Sequence, residues 1–123
     1  MWTLRIIGSL YLLSGLWCAI NPSASTQFLG LTANAQGLAE FIAVYGGLQV
    51  GLALAMLGSS FKANYIEAAL FFSVLVSAAL FAFRLLGMGL YGGHQPLLLM
   101  AALEGVFVVA LLKHYLAELK ADK

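Results

Sequence analysis

Charge is what this chain has least of. Of its 123 residues, 9% are charged and 63% are hydrophobic, whereas a soluble domain carries roughly 25% charged residues. So few charges cannot cover a soluble globule of this length. Cysteine is almost absent too. The single Cys18 excludes an internal disulfide and any cysteine-cluster metal site, and is expected to pack as a small apolar side chain. The formal net charge of +1 comes with no basic stripe, so nucleic acid is not an expected partner. There is no G-x-S-x-G elbow, P-loop or dinucleotide fingerprint, and no cofactor is called for. Two histidines, His94 and His114, fall on opposite sides of a membrane if the chain crosses it four times. They could not then share an ion, and no metal site is expected.

What remains is apolar and arrives in long runs, the mark of an integral membrane protein. A span needs roughly 20 mostly apolar residues. Four segments qualify, at about 2–20, 38–57, 63–86 and 96–115. Asn21-Pro22 is a turn signal after the first, Gly58-Ser59-Ser60 follows the second, and the third fades into "GMGLYGG". Pro96 suits a first helical position because proline has no N–H to leave unpaired. The expected fold is all-α: a polytopic membrane protein whose four transmembrane helices form an antiparallel bundle, a single domain over 1–123. Helices satisfy their own backbone groups, as lipid demands. The first span has some features of a signal peptide, with "PSAS" as a loose cleavage site. It is expected to stay as a span, and bulky Trp17 before Cys18 does not suit a lipoprotein site. Inside the longest connection, "FLGL" reads either as a short interfacial helix or re-entrant turn, or as a loop with an apolar foot.

Lys and Arg set the expected orientation. Arg5, Lys62, Lys113, Lys120 and Lys123 share one side in a four-span threading, while the connections 20–38 and 87–95 hold no Lys or Arg. Both termini and the Lys62 turn are therefore expected in the cytoplasm. Trp2 and Trp17, near opposite ends of the first span, suit interfacial anchors.

The polar side chains inside the spans are few. In the second helix Gly47 and Gly51 form a Gly-x-x-x-Gly pair, which lets helix backbones approach closely; Glu40 and Val44 share that stripe. Gly8 and Gly15 share a face of the first helix. These faces are expected to pack within the bundle, with a homodimer seam as the other reading. In the third helix Ser73, Ser77 and Arg84 fall on one stripe, and in the fourth Glu104 has the small neighbours Ala101 and Gly105. Ionisable groups inside spans are costly and mark either function or a register-fixing ion pair. Arg84 should lie about 3–6 Å below the outer boundary and Glu104 about 12 Å deep, at 1.5 Å per residue. Helical side chains lean toward the N-terminus, so on antiparallel neighbours the two lean toward each other. A buried Arg84–Glu104 pair is expected, with snorkelling of Arg84 as its rival. Glu40 could complete the cluster, and Tyr45, Gln49 and Ser77 are candidate lining.

Four short spans, a glutamate opening the second helix, the run "AEFIAVYGGLQVGLAL", and a late arginine in the third resemble the bacterial four-helix membrane family catalogued as Domain of Unknown Function 4345, itself similar in shape to DoxX-like proteins. The resemblance covers nearly the whole chain, with Glu40 followed by Tyr45-Gly46-Gly47 as its local motif. It implies a multi-pass protein of the bacterial inner membrane and no established activity. Some DoxX-like relatives are linked to quinone-coupled oxidation of thiosulfate or thiols, but one cysteine leaves no second thiol for that chemistry here.

Three function classes fit. One is a small accessory or scaffold protein whose surfaces bind a membrane-protein partner or further copies of itself. Another is a bundle that binds a lipid- or quinone-like molecule, with or without redox chemistry. The third is one protomer of an oligomeric transporter or channel. The first is favoured, without enzymatic activity, and the lipid bilayer is a partner in all three.

Overall fold

The computed structural model describes residues 1–121; Lys123, counted above among the cytoplasmic charges, lies outside the described residues. The chain is all-α. Four helices are long and apolar enough to cross a membrane: α1 (Trp2–Ile20), α3 (Ala35–Ser59), α4 (Ala63–Tyr91) and α5 (Gln95–Ala121). A short helix, α2 (Pro22–Phe28), lies between the first two. The helices form antiparallel pairs within two compact units. One unit is Arg5–Gly58, and the other joins Met1–Leu4 to the chain from Ser59 onward.

Each boundary has a local cause. Asn21 accepts a hydrogen bond from the Ala24 N–H at 3.4 Å, and Pro22 opens α2. The turn signal after α1 is thus the cap of a new helix. Ser25 and Thr26 donate their hydroxyls back to the carbonyls of Asn21 and Pro22 at 2.9 and 2.7 Å, which lets both side chains be buried. The helix covers "PSASTQF" and stops at the head of "FLGL", whose Leu29 is buried. Asn34 caps α3 through the Gly37 N–H at 2.9 Å. Consequently α3 starts three residues before the expected Leu38.

The glycines of "GMGLYGG" do not end α4 where expected. Gly87 and Gly89 remain helical, and the helix stops only at Gly92, with φ of +84°, a conformation that suits a residue without Cβ. At the other terminus α5 runs on to Ala121. His114, one residue before the expected end of the span at 115, therefore sits well inside the helix. There its Nδ1–H donates to the Ala110 carbonyl at 2.8 Å, and Thr3 Oγ1 lies 3.0 Å from the same nitrogen. The Met1 ammonium donates to the Ser60 carbonyl at 3.2 Å. Cys18 is buried.

In the Arg5–Gly58 unit, α1 and α3 meet through glycine. A methyl group at Gly15 would stand 3.0 Å from Gln49 Cβ and Val50 Cγ2 and 3.1 Å from the Gly46 carbonyl oxygen. At Gly8 it would stand 3.1 Å from Met56 Cβ and Leu57 Cγ, and at Gly46 it would stand 3.0 Å from Ala19 Cβ. Gly8 and Gly15 do share the packed face. The partner glycine on α3 is Gly46, however, and not the pair Gly47 and Gly51. A methyl group at Gly51 meets nothing within 4 Å, and one at Gly47 meets only the Ile42 carbonyl at 4.0 Å. The cause is a π-helical segment, Ile42–Leu48, in the middle of α3. Its hydrogen bonds reach five residues back rather than four. The buried side of α3 therefore steps from Phe41 to Gly46 before resuming ordinary spacing at Ala53 and Met56. A stripe counted at 3.6 residues per turn slips by one position across that segment.

Candidate functional site

In the other unit the buried stripe of α4 runs through Leu70, Ser73 and Ser77, with steps of three and four that keep one helical face. The same face carries Arg84 two turns further on. The facing stripe of α5 is Ala101, Glu104, Phe107 and Leu111. Three residues, Gly92 to His94, connect the two helices, so they run antiparallel as neighbours. Arg84 and Glu104 come level at that register. By the rise of an α-helix, Arg84 lies about 10 Å from the Tyr91 end of α4 and Glu104 about 13 Å from the Gln95 end of α5. The extra turn of α4 places Arg84 deeper than its sequence-based depth, which removes most of the expected mismatch.

The side chains meet as two forks. Arg84 Nε donates to Glu104 Oε2 at 2.7 Å, and Nη2 donates to Oε1 at 2.7 Å. Side-chain exposure is 14% for Arg84 and 6% for Glu104, so the guanidinium points into the protein rather than snorkelling to a surface. Two parallel charge-assisted bonds are the strongest geometry open to this pair, and planar guanidinium supplies it where an ammonium could not. Gly105 faces the Phe81 ring, where a methyl group would stand 3.4 Å from two ring carbons, an ordinary contact.

Of the other residues expected at the site, Ser77 is fully buried on the same stripe as Arg84, and its Oγ makes no hydrogen bond among the described residues. Glu40, Tyr45 and Gln49 belong to the other unit. Glu40 is exposed near the end of the first turns of α3. Tyr45 stacks on Phe41 with ring centroids 4.6 Å apart, and the buried Gln49 Oε1 has no hydrogen-bond partner among the described residues. No group of three or more His, Cys, Asp or Glu among the described residues could hold a metal.

A second feature of the α4–α5 unit was not read from the sequence. Asn64, Glu67, Ala68 and Phe71 of α4 and Tyr115 of α5 line an open cleft of about 320 Å³. Phe71 and Tyr115 form its aromatic wall, with ring centroids 5.7 Å apart. The signal in the sequence was a carboxylate with no basic residue one turn away. What could not be read was Tyr115, which joins Glu67 only through the register of two helices.

No family model, curated protein or solved structure matches this chain. The conclusion that the fold and the composition carry is a small multi-pass membrane protein, all-α, embedded in a lipid bilayer through four long apolar helices.

Proposed function

We propose that this chain is a small accessory or interaction subunit of the bacterial inner membrane, whose helix faces contact a membrane-protein partner or further copies of itself. The observation that carries this reading is the open pair Gly47 and Gly51, where added methyl groups would meet next to nothing. Small residues four apart on a span let another helix come close, and within the Arg5–Gly58 unit that service is already provided by Gly8, Gly15 and Gly46. The Arg84–Glu104 pair then serves to hold α4 against α5 in one register, since its charges are spent on each other. The resemblance to the Domain of Unknown Function 4345 and DoxX-like proteins, through Glu40, Tyr45-Gly46-Gly47 and Arg84, supports the inner membrane as its place and supports no particular reaction.

The distribution of Arg5, Lys62, Lys113 and Lys120 supports cytoplasmic termini. A cysteine introduced at Ala33 is then labelled by an impermeant reagent in intact cells, and protection of that site would reverse the orientation. For the interaction itself, the test is native mass spectrometry from gentle detergent. The expected result is an assembly heavier than one chain, lost in Gly47→Leu and Gly51→Leu without loss of thermal stability. A single chain free of partners, or an assembly unchanged in both variants, overturns the reading.

A second reading is a bundle that binds a lipid- or quinone-like molecule within the α4–α5 unit, with Arg84 and Glu104 as its charges and Ser77 as lining. The buried Ser77 Oγ, without a hydrogen-bond partner among the described residues, favours it, since such an atom is expected to be satisfied by something. A small molecule carried through purification and absent from Ser77→Ala would move the balance to this reading.

A further inference from the structure

We propose that the cleft between Glu67 and Tyr115 binds a primary ammonium group, supplied by the headgroup of an amine-bearing phospholipid. The cleft is formed entirely within the α4–α5 unit. Its depth suits a headgroup. The 29 residues of α4 extend about 43 Å, matching a whole bilayer with its polar layers at roughly 40–45 Å. Glu67 lies about 6 Å from the start of that helix, and so within the polar layer. Phe71, one turn further on, is about 12 Å in, and so about 5 Å inside the hydrocarbon core of roughly 30 Å. The ring is half exposed and offers an apolar surface for the first carbons of a chain.

The chemistry of the lining selects the sign and type of group. Glu67 is exposed, and its carboxylate makes no ion pair or hydrogen bond among the described residues. The nearest cation in sequence, Lys62, is turned elsewhere, with its Nζ over the Tyr65 ring at 5.3 Å. His114, beside Tyr115 in sequence, is occupied by the Ala110 carbonyl and Thr3. A carboxylate, an amide oxygen from Asn64 and the faces of Tyr115 and Phe71 together offer acceptors and ring density to a cation, and repel an anion. An ammonium with N–H bonds uses both kinds of contact. A quaternary ammonium uses only the rings and the charge.

The test uses the full chain in gentle detergent, with native mass spectrometry of lipid retained after addition of phosphatidylethanolamine, phosphatidylcholine or phosphatidylglycerol with matched acyl chains. Phosphatidylethanolamine should be retained best and phosphatidylglycerol least. Glu67→Gln should lower phosphatidylethanolamine retention about tenfold, as loss of a charge-assisted contact does, and Tyr115→Leu about threefold. Glu118→Gln, a carboxylate on α5 outside the cleft, should leave the ranking unchanged. Because Glu67 is exposed and unpaired, Glu67→Gln should keep the thermal stability of the parent, and measuring that stability separates lost binding from lost fold. Ethanolamine is titrated in parallel by thermal shift. A Glu67-dependent response to ethanolamine as large as that to the lipid supports the ammonium site and assigns it to a soluble amine. Equal retention of the three lipids, or unchanged phosphatidylethanolamine preference in Glu67→Gln, overturns the proposal. Assembly mass in these variants is unaffected either way, so the outcome is independent of the interaction reading above.

Discussion

The two helix pairs are held together by opposite means. Between α1 and α3 the contact is made by absence: Gly8, Gly15 and Gly46 carry no side chains, and backbone and Cβ atoms approach to about the van der Waals limit. Between α4 and α5 it is made by charge, with Arg84 and Glu104 joined by two 2.7 Å bonds. In lipid there is no hydrophobic drive to bring one apolar helix to another, so association depends on close packing or on polar bonds. Each pair uses one of these two. A packed seam tolerates no added atoms but is indifferent to pH and salt. An ionic seam tolerates changes of shape but not the loss of one partner.

That contrast can be broken by mutation, and the largest effect is expected at the ionic seam. Arg84→Met or Glu104→Gln alone leaves a buried charge without its partner and should destabilise the protein by about 3–5 kcal/mol. The double variant should recover a large part of the loss. Reversible unfolding in mixed micelles, analysed as a double-mutant cycle, checks this, and additive losses would mean that the two side chains act independently.

The packed seam should respond next. Gly15→Leu inserts a branched side chain where even a methyl group would sit 3.0 Å from two neighbours, and about 1–3 kcal/mol of stability should be lost to overpacking. Gly51→Leu has free space and should change stability by less than about 0.5 kcal/mol. The same unfolding measurement on both variants sharpens the distinction between the glycine that packs and the glycine that is open. Equal losses would contradict the register that the π-helical segment imposes.

A smaller effect belongs to the entry of α3. Asn34→Ala removes the cap on the Gly37 N–H and should cost about 1 kcal/mol, visible as faster amide exchange in the first turn of α3. The smallest is at Glu67, where Glu67→Gln should leave stability within about 0.5 kcal/mol. That outcome would set the exposed, unpaired carboxylate of α4 apart from the buried, paired one of α5.

Much of the α4–α5 unit was legible in the sequence. Ser73, Ser77 and Arg84 repeat with helical spacing, Glu104 stands alone in an apolar run, and a short connection makes the two helices neighbours. The direction in which helical side chains lean does the rest. The expected depths were less accurate because Gly87 and Gly89 read as an end to α4, whereas a glycine within a helix costs only about 1 kcal/mol. The α1–α3 unit was half legible. Gly8 and Gly15 could be placed on one face because α1 is a regular helix. The stripe of Gly47 and Gly51 fits 3.6 residues per turn, and the π-helical turns of Ile42–Leu48 do not obey that period.

The amino-acid sequence by itself determined the membrane environment, the four spans and the meeting of Arg84 with Glu104. All of these follow from local composition, hydrogen-bonding capacity and the period of a regular helix. Only the tertiary structure decided which glycine touches α1 and that Glu67 shares a cleft with Tyr115. The first depends on a change of helical period that spacing rules assume away. The second depends on the rotation of two helices about their axes, which is set by the sum of many weak packing contacts and by no single residue.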